Sequence, residues 1–453
     1  MREHCVKSNR SVPSEPHEMS LSDAARSGWL FLVFLSLMMA LTSMAGCNKT
    51  QGTTPLSDSD TALPIPCSIA LAPTAHPDLR ISELQQKART TSGATSLDDL
   101  GWAFIDKARV SYDPGYYRLA ENCAACMEAR SPGDPAALLL RGHALDNLHR
   151  FREAEVIARE LVSKRGIHLD YELLGDALME QGKTGEAVEA YQSMMDQKPG
   201  PQAYARAANM RWLTGDLTGA IEMMSLAAHA AGTGEAAAWA ESRLAIYLFQ
   251  AGDLKKALEA CREALEMQPD YAPALLARGR ILLSIGGTAE ALIDLRAAAR
   301  LNPLPEYQWA LAEALSAANL VQETAAIEKA IVESGVESDP RTVALFLATR
   351  GVMPLTALML AQKELDNRQD VYTRDALAWT QCAAGRFREA QQTIQEVLDA
   401  GTNEARFFFH AALIAARCGD KGRARAYGRR AASLRRMLLP TERNMLAQQL
   451  AAF

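Results

Sequence analysis

Aromatic side chains are scarce in this chain: they make up 6% of 453 residues, and only 6 are tryptophan. A β-sandwich or barrel lines its pleated faces with aromatic and β-branched residues, so this composition argues against both. Glycine (28) and proline (19) are too few for a collagenous or low-complexity chain. Hydrophobic residues reach 48%, which argues against wholesale disorder. Positive charge is not in excess: the net charge is −6, which gives no reason to expect nucleic acid as the main partner.

Signatures of chemistry are missing as well. His143 and His149 stand six apart, which is not one helix face, and the other histidines show no metal spacing. There is no His-Glu-x-x-His, no glycine-rich phosphate loop and no arguable Ser/His/Asp constellation. The expectation is a protein that is not an enzyme and holds no cofactor or metal. Cys67, Cys261, Cys382 and Cys418 are scattered and form no disulfide framework. Cys123 and Cys126 make a C-x-x-C pair, but in mid-helix, without a second pair and followed by Met127. Small packing residues are the plain reading. A thiol-redox or metal-handling factor built on Cys123 and Cys126 is the alternative from another class.

What is abundant is alanine, about 80 residues, the strongest helix former. Before the alanine-rich body lies an address. Trp29 to Gly46 is almost wholly apolar, follows Arg26, and ends in Met44-Ala45-Gly46-Cys47. Small residues just before a cysteine resemble the bacterial lipobox, which implies a lipidated Cys47 at the mature N-terminus. Met44 departs from the usual leucine. The reading is a signal peptide over 1–46, with Met19 a second candidate start, and a lipidated flexible tether over 47–95 rich in Thr, Ser, Pro and Asp. The implied location is the cell envelope. Asn48 rather than aspartate favours the outer membrane, facing the periplasm. An uncleaved inner-membrane signal anchor is the alternative.

From there on a period recurs. Gly-x-x-x-x-Ala appears at Gly182–Ala187, Gly215–Ala220, Gly252–Ala257, Gly286–Ala291, Gly385–Ala390 and Gly419–Ala424. In phase, alanines fall at 120, 154, 187, 220, 257, 291, 325, 357, 390 and 424, steps of about 34 residues. Small residues sit in phase at Ala108, Gly142, Gly175, Ala208, Ala245, Gly279, Ala378 and Ala412, while Glu313 and Leu345 depart. Prolines 132, 199, 269 and 303 close the second helix of their units. The chain thus resembles a tetratricopeptide-repeat protein. The resemblance implies an all-α right-handed α-solenoid over 96–438, with about ten helix-turn-helix units starting near 101, 135, 168, 201, 238, 272, 306, 338, 371 and 405. Ser96 to Asp99 would cap the first unit. A capping helix over 439–453 would follow, with Thr441 as N-cap.

In that family, four positions of each first helix line a concave groove that holds peptides. Carried over, they are Trp102, Arg109, Tyr112, His143, Asp146, Glu172, Asp176, Asn209, Trp212, Trp239, Phe249, Arg280, Tyr307, Tyr372, Asp375, Trp379 and Phe409. Four of the five tryptophans after the signal fall in this set, and Trp309 falls on a core position. Tryptophan and tyrosine are common interface anchors, although packing against the next unit explains them as well. The basic run Arg417, Lys421, Arg423, Arg425, Arg429, Arg430, Arg435, Arg436 and Arg443 reads as a solvated face, with an acidic partner or anionic lipid as the alternative. The function implied is a membrane-anchored scaffold that binds a protein or peptide, in an assembly or adaptor role. An accessory subunit of an envelope enzyme or transporter is a further alternative.

Overall fold

The computed structural model describes residues 78–90 and 94–452. The stretch expected to be a signal peptide, Cys47 and most of the stretch read as tether lie outside the described residues. Among the described residues there are α-helices and one 3-10 turn but no strand, and no helix is long and apolar enough to cross a membrane.

A leading helix α1 (Leu79–Thr90) precedes ten helical hairpins. The hairpins are α2 and α3 (Ala94–Ser111, Gly115–Arg130), α4 and α5 (Pro135–Asn147, Phe151–Lys164), α6 and α7 (His168–Glu180, Thr184–Gln197), α8 and α9 (Pro201–Leu213, Leu217–Ala231) and α10 and α11 (Glu235–Gln250, Leu254–Met267). Then come α12 and α13 (Ala272–Ser284, Thr288–Leu301), α14 and α15 (Pro305–Ala317, Val321–Ser338), α16 and α17 (Pro340–Arg350, Pro354–Asn367), α18 and α19 (Val371–Ala383, Phe387–Asp399) and α20 and α21 (Ala405–Arg417, Lys421–Ser433). The 3-10 turn η1 (Arg435–Met437) leads to the last helix, α22 (Pro440–Ala451). This is the all-α solenoid expected from the repeat phase.

The local chemistry explains the punctuation. Glycine ends a first helix and aspartate caps the second: Asp216 accepts from Gly219 N at 2.9 Å and Asp253 from Lys256 N at 3.1 Å. Nine of the ten in-phase alanines are fully buried at the crossing within each hairpin. The small residue of the first helix lets the partner in. A Cβ at Gly142 would clash with Leu173, and one at Gly175 with the Tyr191 ring.

Four expectations need correction. Helix α1 occupies the end of the stretch read as tether, because Ile81, Gln85 and Ala88 give it a buried face on the first hairpin. Ser96 to Asp99 do not cap a helix but lie within α2, where Ser96 and Leu97 are buried. Ala325 is exposed, because the long helix α15 crosses its neighbours near its other end, where Ile331 and Gly335 are buried. A Cβ at Gly335 would stand 2.6 Å from the Pro305 ring. Thr441 is not the N-cap of α22: Leu439 is, and its backbone N–H donates to Glu442 at 2.8 Å.

The departure at Glu313 has its own account. This carboxylate is fully buried and accepts from Trp309 Nε1 (3.2 Å) and Thr441 N (2.9 Å), and pairs with Arg350 (2.9 Å). It joins α14, α16 and α22, so a small residue here would forfeit a three-way tie.

The array also touches itself across a full superhelical turn. Trp212 Nε1 donates to Tyr372 Oη at 2.9 Å, Thr402 Oγ1 to Leu213 O at 2.7 Å, and Gln369 N to Glu180 O at 2.8 Å. Gln250 donates to Glu404 at 3.1 Å, and Arg280 to Met437 O at 3.2 Å. The partners lie about four and a half to five and a half repeat lengths apart, at about 34 residues each. Gly182 and Gly215 make this seam possible. Both are in the left-handed region (φ 71° and 86°), and a Cβ on either would lie 2.6 Å from a carbonyl oxygen of the other turn, Gln369 O and Gly401 O respectively.

Candidate functional site

The first helices of the hairpins face inward, since Trp212 on α8 meets Tyr372 on α18 across the turn. Most sequence-predicted groove residues therefore find partners within the chain. Trp212, Trp379, Phe409, Phe249, Tyr307 and Asp375 are buried. Trp379 donates to Thr349 Oγ1 at 3.1 Å and stacks on His410 at 4.4 Å. Asp375 lies 2.8 Å from His410 Nδ1. Tyr372 is half-buried and accepts from Trp212, and burial pushes its phenol above the ordinary range.

A second group lines the inner face near the start of the array as a charged network. Arg206 pairs with Glu172 at 2.9 Å and donates through Nε to Asp176 at 2.8 Å, while Tyr191 Oη donates to Asp176 at 2.8 Å. Burial and then these carboxylates govern Arg206, and the net effect holds its guanidinium protonated. His143 is held neutral, with its pKa lowered to about 4, chiefly by burial. Burial pushes Asp146 well up, and its Oδ1 has no hydrogen-bond partner among the described residues. Trp102 donates to Asp98 Oδ1 at 3.1 Å and sits edge-on to His143 at 5.2 Å. Asn209 is half-buried on α8 and Arg109 is exposed on α2. Tyr112, with φ 56°, packs against the apolar cluster that contains Ala272, Leu276 and Tyr307.

One part of the inner face stays open. A cavity of about 230 Å³ lies between α10, α12, α14 and η1, lined by Trp239, Phe249, Arg280 and Tyr307 from the expected set. Trp239 is the exception among the inner-face tryptophans, with 40% of its surface exposed. Arg243, Ile246, Leu276, Glu306 and Met437 also line it. Sequence reasoning missed Arg243. The signal was present: it follows Trp239 by four residues, hence on the same helix face. Met437 could not be found, because it arrives from the other turn.

The remaining candidates are placed as follows. Cys123 is buried beside Ala120, Ala124 and Met127 on α3, and Cys126 is half-buried. Among the described residues no group of three His, Cys, Asp or Glu side chains could hold a metal ion. Of the basic run, Arg443 turns inward to Ser284 O at 3.3 Å, while the other eight are exposed on and around α21.

The tetratricopeptide-repeat family profile matches residues 172–236, 242–304 and 376–436. Solved structures with similarity include the APC/C hetero-tetramer Cut9–Hcn1 (12% identity over 82% of this chain and 92% of that chain, TM-score 0.36). The human IFIT1 dimer with PPP-AAAA is also similar (12% identity, 78% and 86% covered, TM-score 0.45), as is the MamA protein (17% identity, 37% and 92% covered, TM-score 0.30). No curated protein matches this chain. The three matched stretches are tetratricopeptide repeats, set in an all-α solenoid of ten hairpins that a leading and a final helix close.

Proposed function

We propose that this chain is a scaffold of the bacterial cell envelope, anchored through lipid on Cys47, that binds a protein or peptide partner and performs no chemistry of its own. The apolar run Trp29–Gly46 and the Ala45-Gly46-Cys47 junction support the anchor and a position facing the periplasm. Tetratricopeptide repeats support the scaffold role, since stacked hairpins offer a long preformed surface.

The observation that carries the binding reading is Trp239. In a solenoid whose other inner-face tryptophans are buried or tied to neighbouring side chains, this one stands open on a cavity. In-cell crosslinking followed by identification of the captured protein tests it. Recovery should fall at least fivefold in Trp239→Ala, and undiminished recovery would remove the inner face as the contact site. Palmitate labelling that disappears in Cys47→Ser checks the anchor separately, and labelling retained in that variant would overturn it.

A further inference from the structure

The connection between the two helices of a hairpin lies on the same rim of the solenoid from unit to unit, because equivalent parts of stacked repeats line up. In hairpins three and four that rim is occupied. Gly182 and Gly215 sit in these connections, and the backbone of Gln369 and of Gly401 from the other superhelical turn packs on them. In hairpins seven to ten the same rim faces solvent among the described residues, and its chemistry changes.

Hairpins seven and eight present apolar side chains there. Leu320 precedes α15 and Val321 opens it, while Val352, Met353, Leu355 and Met359 surround the start of α17. All six are exposed, Val321 with 74% and Leu355 with 72% of their surface. The repeat does not require this. The corresponding connections elsewhere include Gly215-Asp216, Gly252-Asp253 and Gly419-Asp420, whose aspartates cap the second helix. A run of apolar side chains turned to solvent marks a contact with something other than water.

Hairpins nine and ten continue the rim with positive charge. Arg386, Arg388, Arg417, Lys421 and Arg423 are exposed around their connections. The acidic residues nearby are engaged: Glu323 by Arg296 at 2.7 Å, Glu389 by Arg386 at 3.6 Å, and Asp420 by the N–H of Arg423 at 2.9 Å. Arg388, Arg417 and Lys421 form no ion pair among the described residues. The positive surface runs on along α21, which alone among the ten second helices carries no Asp or Glu.

An apolar strip that continues into a dense positive field suits a bilayer with anionic headgroups. Apolar side chains enter the headgroup boundary, and guanidinium and ammonium groups meet phosphates. A nucleic acid would use the charges and leave the six apolar side chains in water.

We propose that this rim of hairpins seven to ten docks on an anionic lipid bilayer. The apolar residues around Val321 and Leu355 enter the headgroup region, and Arg388, Arg417 and Lys421 pair with lipid phosphates. The contact is made by the repeat array itself and does not depend on lipid at Cys47.

The test uses the full chain carrying Cys47→Ser, reconstituted into vesicles of phosphatidylcholine alone or with about one part in three phosphatidylglycerol. In separate preparations Leu355 or Val156 is replaced by an environment-sensitive acetylnaphthyl amino acid. Val156 is an exposed apolar residue of hairpin two, outside the proposed surface. Collisional quenching by a doxyl-labelled phosphatidylcholine reads contact with lipid. In the anionic vesicles, quenching at position 355 should exceed that at position 156 at least threefold. It should fall at least threefold in pure phosphatidylcholine, or when NaCl is raised to about 0.5 M. Arg388→Gln with Lys421→Gln should weaken docking about fivefold per charge removed. Arg159→Gln with Arg262→Gln removes equal charge from other exposed helix faces and should leave docking unchanged. Equal quenching at the two positions, quenching at 355 indifferent to headgroup charge, or docking unaltered by Arg388→Gln with Lys421→Gln would each overturn the proposal. A blue shift at 355 without lipid quenching would also overturn it, since protein, a second copy or another chain, would then cover the rim.

Discussion

Two stretches of the inner face, built from the same repeat, end in opposite states. Around α8, α18 and α20 the two superhelical turns press together, and Trp212, Trp379 and Phe409 become core. Around α10, α12 and α14 the turns touch through Gln250 and Arg280 but enclose a cavity, and Trp239 remains open. Facing the axis therefore does not by itself decide an aromatic residue's role. What decides it is whether the opposite turn comes into contact, as Tyr372 does with Trp212, or leaves room, as Met437 does at the chamber.

The largest way to strain this contrast is Trp212→Ala. It removes a buried indole, its bond to Tyr372 and its ring contact with Tyr247 at 5.9 Å. A loss of about 3–5 kcal/mol of unfolding free energy is expected in a denaturant titration. A loss below about 1 kcal/mol would show that the turns do not hold each other. Next is Gly215→Ala, which puts a Cβ against Gly401 O at a φ of 86°. About 1–3 kcal/mol should be lost, whereas alanine at Gly252, where nothing lies within 4 Å, should cost less.

A pH dependence comes third. His143 has its pKa lowered to about 4 by burial, so the folded chain holds fewer protons there than the unfolded chain. That contribution is whole above about pH 6.5 and is lost as the pH falls toward 4. Stability should drop by about 2 kcal/mol across this window, and His143→Gln should flatten that part of the curve measured by denaturation at stepped pH. The smallest effect belongs to Trp239→Ala. Its side chain is exposed, so stability should change by less than about 0.5 kcal/mol while the chamber loses its wall. A large drop in melting temperature would place Trp239 with Trp212 after all.

Much of this was legible beforehand. The Gly-x-x-x-x-Ala phase marks each helical hairpin because close crossing demands a small residue at a fixed place, and Ala120 through Ala291 are buried as that demands. Local rules also foresaw the final helix α22, which begins one residue earlier than expected, at Pro440. The phase failed at Ala325, where α15 carries an alternative small residue, Gly335, about three turns further on. The site was read less well, for a physical reason. Repeat position tells which residues face the axis, but the distance to the opposite turn depends on pitch, which sums small rotations over many hairpins. Trp212 and Trp239 both face the axis, and what lies across from them differs. Arg243 was overlooked although it follows Trp239 by four residues, on the same helix face.

The seam has a further consequence, for how the chain folds. A solenoid is ordinarily a one-dimensional system: each repeat contacts its neighbours, its ends fray, and folding can start anywhere and spread. Here hydrogen bonds join residues 154, 160 and 189 positions apart. Such contacts form only after the intervening hairpins are in place, so they add a late, slow step and raise the contact order of an otherwise local fold. Once formed, they couple the last hairpins to those in the middle of the chain. The expected behaviour is a sharpened, nearly all-or-none unfolding transition, which Gly215→Ala should broaden into separate melting of the two turns.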